Sequence, residues 1–211
     1  MAEAVKNEAS AADAVMTASK KLGFYFDMKA CIGCRTCQIA CKDKNDLPVG
    51  VIYRHVQAFE TGAYPVPSGF NYSGTCNHCE NPACVAECPT GAMHLSDDGT
   101  VLHDDAKCIG CRICIWSCPY GVPQYFDDRG IVGKCDACAS LRKEGGDPAC
   151  VDSCVMRCLE FGPIDELRAK HGAEALTSQA AILPDVSETQ PSLLINPRAA
   201  GFSRDYRVKE V

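Results

Sequence analysis

Hydrophobic positions along this chain come in short clusters, and no apolar run exceeds five residues even when Gly is counted. That is far short of the ~18–20 apolar residues that a membrane-spanning helix needs, so no direct span is expected. Residues 1–22 hold seven Ala among mixed charges without a clear apolar face, and read as a flexible N-terminal extension that orders against a partner. They lack the apolar centre of a signal peptide, and the first Arg is Arg35, so no twin-Arg leader is expected. The stretch from Val51-Ile52-Tyr53 to Phe59 predicts a strand, and Gly62, Pro65, Pro67 and Gly69 predict the loop after it. Two hairpins are expected, one turning at Asp97-Asp98-Gly99 before Thr100-Val101-Leu102, the other at Asp127 to Gly130 before Ile131-Val132. Pro163 opens a short helix through Ile164, Leu167 and Lys170 that Gly172 stops. Residues 180–211 contain Pro184, Pro191 and Pro197 with little periodicity, and read as an extended tail laid along another surface, or else as a disordered terminus.

Composition changes this picture. Leu, Ile, Val and Phe make up only about a fifth of the 211 residues, a thin core for the size. Cysteine contributes 17 residues, a level at which metal ions or disulfides become part of the scaffold. The odd count argues against a fully disulfide-paired domain. The formal charge of −6 supplies no basic stripe to displace counterions from phosphates, so nucleic acid is not an expected partner.

The cysteines are grouped. Cys31, Cys34, Cys37 and Cys41 form the first set, CIGCRTCQIAC; Cys76, Cys79, Cys84 and Cys88 form the second, CNHCENPACVAEC. Cys108, Cys111, Cys114 and Cys118 form the third, CIGCRICIWSC, and Cys135, Cys138, Cys150 and Cys154 the fourth, with 11 residues between its middle pair. Sets one and three have the C-x2-C-x2-C-x3-C spacing of bacterial [4Fe–4S] loops. Three thiolates on one tight loop can cap one cube of iron and sulfide, while the fourth, reached after the chain turns into a helix, points toward a second cube. Gly33 and Gly110 lie inside these loops, where the backbone must bend and a Cβ would crowd the cluster. Pro89 and Pro119 follow Cys88 and Cys118, as in the C-P ending of that run.

Structural zinc takes two C-x2-C pairs and has no use for a third cysteine two residues on, so the spacing favours four [4Fe–4S] clusters on 16 of the 17 cysteines over a zinc or disulfide framework. Cys158, four residues after Cys154, is expected to be a buried small hydrophobe. His78 is expected to hydrogen-bond rather than ligate, and Trp116 to pack around a cluster. Cys88-Pro89-Thr90-Gly91 and Cys118-Pro119-Tyr120-Gly121 repeat 30 residues apart, each before one of the hairpins. Cluster loop, short helix and hairpin is the layout of bacterial two-cluster ferredoxins. The expected fold class is therefore α+β: two interlocked ferredoxin-like units with irregular loops and an extended C-terminal tail. The expected divisions are 1–22 for the extension, 23–75 with 132–160 for the first unit, 76–131 for the second, and 161–211 for the short helix and docking tail.

The strings CIGCRTCQIACKDKNDLP, CNHCENPACVAECPTGAMH, CIGCRICIWSCPYGVPQY and LEFGPIDELR resemble the iron–sulfur subunit of dimethyl-sulfoxide-reductase-type molybdopterin oxidoreductases, over about residues 23–172. The resemblance implies cross-ligation between sets one and four and between sets two and three. One cluster would use Cys31, Cys34, Cys37 and Cys154, and its neighbour Cys135, Cys138, Cys150 and Cys41. A third would use Cys76, Cys79, Cys84 and Cys118, and a fourth Cys108, Cys111, Cys114 and Cys88. Some relatives carry Trp in place of the second cysteine of set three and hold a [3Fe–4S] cluster there; Cys111 occupies that position here, which implies four cubanes. Two departures, Val155 where relatives often have Pro and the unmatched N-terminal extension, touch no ligand.

The resemblance also implies a non-catalytic role. Single electrons would pass between a molybdopterin-containing catalytic subunit, faced by the first cluster, and an integral membrane anchor, faced by the fourth. It further implies a place on the extracytoplasmic face by export with a signal-bearing catalytic subunit, the alternative being cytoplasmic. A free-standing polyferredoxin shuttle is the rival function and a structural zinc module the third. Four oxidised clusters would take the formal charge from −6 to about −14. Lys29, Arg35, Lys42, Lys107, Arg112 and Lys134, all close to ligands in sequence, are candidates to offset that charge, or are ordinary solubilising side chains.

Overall fold

The computed structural model describes residues 21–209; the expected extension lies outside these apart from Lys21 and Leu22. The first strand, β1 (Leu22–Asp27), is buried along nearly its whole length. Side chains alternate across a strand, so Phe24 and Phe26 enter the main core while Tyr25 enters a smaller one on the other face. The chain then makes the set-one loop and α1 (Thr36–Lys44), followed by the antiparallel pair β2 (His55–Thr61) and β3 (Ser68–Gly74). Set two leads into α2 (Ala83–Ala86) and the hairpin β4 (Met93–Leu95) and β5 (Val101–His103). Set three leads into α3 (Ile113–Ser117) and the hairpin β6 (Gln124–Phe126) and β7 (Ile131–Gly133). The 30-residue sequence repeat is thus a structural repeat.

Set four spans α4 (Ala139–Lys143) and α5 (Ala149–Asp152). β8 (Leu159–Pro163) runs into α6 (Ile164–His171), with Pro163 at its N-cap and Gly172 at its C-cap as the sequence predicts. β9 (Leu193–Asn196) and β10 (Arg207–Lys209) end the described chain. One three-stranded sheet has the order β8-β1-β9, β1 antiparallel to β8 and parallel to β9; the other three-stranded sheet has the order β10-β2-β3. The segment read as a docking tail therefore contributes strands to both three-stranded sheets of its own chain, with Leu193, Leu194 and Ile195 all buried. The strand expected from Val51 begins at His55 instead, because Val51 and Tyr53 turn into a small core with Leu47 and Phe126.

Helix packing pairs the cysteine sets. α1 packs on α5, and α2 on α3. Phe24, Phe26, Phe59, Phe70 and Ile195 share the main core with Cys37, Cys150, Cys154 and Cys158. Met93, Cys114 and Val132 form a second core flanked by Cys84, Cys88 and Cys108. Two pins join these regions. Arg142 on α4 meets Asp98 in the β4–β5 turn at 2.7 Å. His78 accepts a hydrogen bond at Nδ1 from the backbone N–H of Val101, 3.0 Å away.

Candidate metal centres

The two loops written CIGCR have the same backbone geometry. Gly33 and Gly110 have φ of +72° and +66°, and Arg35 and Arg112 are left-handed at 63° and 65° just before α1 and α3. Glycine is required there by that conformation and by close neighbours. A Cβ on Gly33 would stand 2.6 Å from Asn71 Oδ1, and one on Gly110 would stand 2.1 Å from the carbonyl oxygen of Gly130. The supporting polypeptide by itself therefore excludes a Cβ at both positions.

The sixteen predicted cysteines are all free thiols, as is Cys158. Cys31, Cys34, Cys37, Cys154 and Cys158 line one recess with about 310 Å³ of space free of atoms. Cys88, Cys108, Cys111 and Cys114 line another with about 300 Å³. Each recess thus gathers thiols from two different sets. Of the remaining eight, Cys41 lies near Cys135, Cys138 and Cys150, and Cys76 lies near Cys79, Cys84 and Cys118, while Cys76 also acts on Cys135 across the two groups. Burial first, and then repulsion from Cys150 and Cys138, push the Cys41 thiol up to about 12. Burial, then Cys76, Cys118 and Cys79, push Cys84 up to about 12. Cys135 is pushed up by burial and then by Cys76, Cys41 and Cys150. Cys114 rises to about 11 through burial and its neighbours Cys108, Cys111 and Cys88.

Burial and mutual repulsion disfavour several thiolates side by side without a cation, and this fits a thiophilic metal, which requires the thiolate and discharges the protons on binding. Backbone N–H groups of Met93 and Ala137 point at Cys88 and Cys135 sulfurs, 3.4 and 3.3 Å away, and would stabilise negative sulfur. Donors of this kind, four or more thiols per recess and no carboxylate, fit iron–sulfur chemistry rather than a hard cation. Among the described residues no group of three or more His, Cys, Asp or Glu side chains is placed to hold a single metal ion.

Other predicted residues fall in several ways. Cys158 is buried as expected, but it also faces the first recess, with its sulfur 3.4 Å from that of Cys154. Its thiol is pushed up by hydrogen bonding to Cys31 and by burial, while that bond draws Cys31 down to about 7. The expectation for Trp116 needs correction: the indole is 86% exposed. α3 is a five-residue helix that buries only Cys114, and Trp116, two residues on, lies on its outer side. His78 is fully buried, and burial followed by repulsion from Lys134 and Arg142 keeps its pKa well below the ordinary value. Of the six candidate basic residues, only Lys134 is buried; its Nζ donates to the carbonyls of Val101 and Cys135. Arg112 stacks on the Tyr125 ring, 3.6 Å from its centroid. Arg54, which no sequence signal distinguishes from a surface arginine, is 1% exposed among the thiols of sets one and four.

Comparison with known proteins agrees with the thiol chemistry. Residues 69–164 match the family model of the 4Fe-4S dicluster domain. The chain is 46% identical over 185 residues to the B subunit of the anaerobic dimethyl sulfoxide reductase of Escherichia coli, covering 84% of this chain and 89% of that one. It is 36% identical over 189 residues to the B subunit of the polysulfide reductase of Wolinella succinogenes, covering 87% and 97% respectively. It is also 39% identical over 143 residues to the thiosulfate reductase electron transfer subunit of Salmonella typhi, covering 66% and 74%. With grouped thiols, paired sets and similarity over most of both chains, this protein belongs to the iron–sulfur subunits of dimethyl-sulfoxide-reductase-type enzymes.

Proposed function

We propose that this chain carries four [4Fe–4S] clusters in two interlocked ferredoxin-like units and relays single electrons between a molybdopterin catalytic subunit and a quinone-linked membrane anchor. Cys31, Cys34, Cys37 and Cys154 would hold the first cluster, and Cys135, Cys138, Cys150 and Cys41 the second. Cys76, Cys79, Cys84 and Cys118 would hold the third, and Cys108, Cys111, Cys114 and Cys88 the fourth. The packing of α1 on α5 and of α2 on α3 supports the interlocking.

The observation that carries the relay is apolar exposure at the two recesses. Ile32 and Met156 are exposed in the lining of the Cys31–Cys154 recess, and Ile109 in that of the Cys88–Cys108 recess. Ile39, Val155, Ile113 and Trp116, within two residues of lining cysteines in sequence, are exposed as well. Exposed apolar patches mark interaction surfaces, so a partner at each end of the chain of centres is the reading supported. Bound clusters supply one-electron carriers whose potentials follow burial, charge and hydrogen bonds to sulfur. The polypeptide fixes their spacing, excludes water with the Phe24, Phe26 and Phe70 core, and presents the end recesses to partners. The substrate belongs to the partner. No described helix is long and apolar enough to cross a membrane, consistent with attachment through an anchor subunit, and export bound to a signal-bearing catalytic subunit would place the complex on the extracytoplasmic face.

Anaerobic purification with counts of iron, zinc and molybdenum, together with EPR of the reduced sample, tests the reading. About sixteen irons per chain, four interacting signals and co-eluting molybdenum are expected. The same iron without a partner would favour a soluble shuttle, and zinc without iron would refute the cluster assignment.

A further inference from the structure

Arg54 is the largest fully buried side chain among the described residues. A guanidinium keeps its charge at any physiological pH, and an uncompensated buried charge is strongly unfavourable. Its protein contacts satisfy only part of the group. Nη1 donates to the Ser73 carbonyl at 3.0 Å and to Ser73 Oγ at 3.1 Å, while Nε and Nη2 are buried with no hydrogen-bond partner. The Phe24 ring lies 4.8 Å from Cζ. No carboxylate is paired with it among the described ion pairs.

The nearby groups that can carry negative charge are cysteines of two proposed centres. The charges that act most on Arg54 are those of Cys150, Cys37, Cys135 and Cys41. Cys37 belongs to the first proposed ligand set and the other three to the second. Ser73 Oγ, which accepts from Arg54, is itself 3.4 Å from Cys37 Sγ. The side chain thus lies between two sites that are neutral when their thiols are protonated and strongly negative when loaded.

We propose that Arg54 is the internal counter-charge of the first two clusters, a fixed cation between them that stabilises their more negative, reduced forms and so raises both reduction potentials. The inference rests on the ligand assignment proposed above. Each centre gains one electron on reduction, and the electron comes from its redox partner; Arg54 exchanges neither electron nor proton and acts through its field. The third and fourth sites have no equivalent contact with Arg54. Lys134, buried beside them, donates to backbone carbonyls, and its charge acts on Cys84 of the third proposed set.

The test uses the purified complex, with EPR-monitored redox titration and iron analysis of wild type, Arg54→Gln and Arg54→Lys. In Arg54→Gln, two of the four clusters should become at least tenfold harder to reduce, a downward shift of about 59 mV or more for a one-electron couple, while the other two keep their potentials. Arg54→Lys should hold the two potentials near wild type. Should Arg54→Gln load poorly, the proposal requires the loss to be confined to two clusters and Arg54→Lys to restore them. Unchanged potentials in a fully loaded Arg54→Gln would overturn it, as would equal shifts in both variants, since packing rather than charge would then be at work. Fewer than four clusters in the wild type would be a failure of the underlying assignment, and is read before any variant is made.

Discussion

The C-terminal segment is integral to the fold, and Ile195→Ala measures how much. Ile195 is 0% exposed in β9, opposite Phe26 of β1, and exchanges two backbone hydrogen bonds with Thr177, at 2.7 and 3.0 Å. The substitution leaves the backbone bonds and deletes three buried carbons, about 2.4 kcal/mol at ~0.8 kcal/mol per methylene. A residual cavity adds to this, and the total falls near 3–4 kcal/mol, inside the 2–5 kcal/mol range of large aliphatic-to-Ala changes. Loss of a contact formed late in folding is felt mainly in the unfolding rate. A change of about 3 kcal/mol is then roughly a hundredfold. The assay is anaerobic unfolding in guanidinium, followed by bleaching of the iron–sulfur absorption, with Val208→Ala as control. Val208 is 53% exposed on β10, and its truncation should change stability by less than about 0.5 kcal/mol. An Ile195→Ala rate within threefold of wild type would mean that β9 is no part of the core, and that residues 180–211 are a separable tail after all.

Asp98 ties the β4–β5 turn to α4. Partial burial pushes its carboxyl up, but hydrogen bonds from Ser96, Thr100 and Arg142 outweigh that and hold it well below the usual carboxylate range. Its stabilising contribution is therefore fully present above the unfolded value near 3.8 and fades as pH falls toward the lower folded value. Asp98→Asn should cost about 1–2 kcal/mol after allowance for solvent, with the same gap in unfolding rate at any pH from about 5 to 8; a gap that widens or closes within that window contradicts the sign. Cys154→Ala should lose about four irons per chain, whereas Cys158→Ala should lose none, and the reverse result by iron analysis would exchange their places in the ligand set. Gly110→Ala adds a Cβ 2.1 Å from a backbone oxygen at φ +66°. The left-handed conformation alone costs about 1–2 kcal/mol, so EPR should show selective loss of the fourth cluster, and a fully loaded protein would refute the role given to that loop.

Much of the local architecture is legible in the chain because it depends on local chemistry. Cysteine spacing sets the loops, Asp-Asp-Gly and Asp127 to Gly130 set two hairpin turns, and Pro163 and Gly172 bound α6. The misses are equally physical. β1 reads LGFYFD and is buried on both faces, so it shows no alternation of polar and apolar positions. β3, with sequence SGFNYSG, carries two Gly and two Ser and has little strand propensity until β2 pairs with it. A large apolar indole suggests packing beside a cluster for Trp116, yet a helix of five residues has one inner face and Cys114 occupies it.

By itself, then, the sequence determined the kind of chemistry, since thiol spacing along a few residues fixes which donors can share a loop. Which distant sets meet was implied only by the family resemblance; cysteine spacing does not carry it, and its physical cause is tertiary, in α1 packing on α5 and α2 on α3. Tertiary structure alone decided that β9 lies parallel to β1 across more than 160 residues, that Cys158 faces the same recess as Cys154, and that Arg54 is buried. Long-range pairing and the burial of a charge are settled by the whole core closing around them, and no short stretch of sequence carries that information.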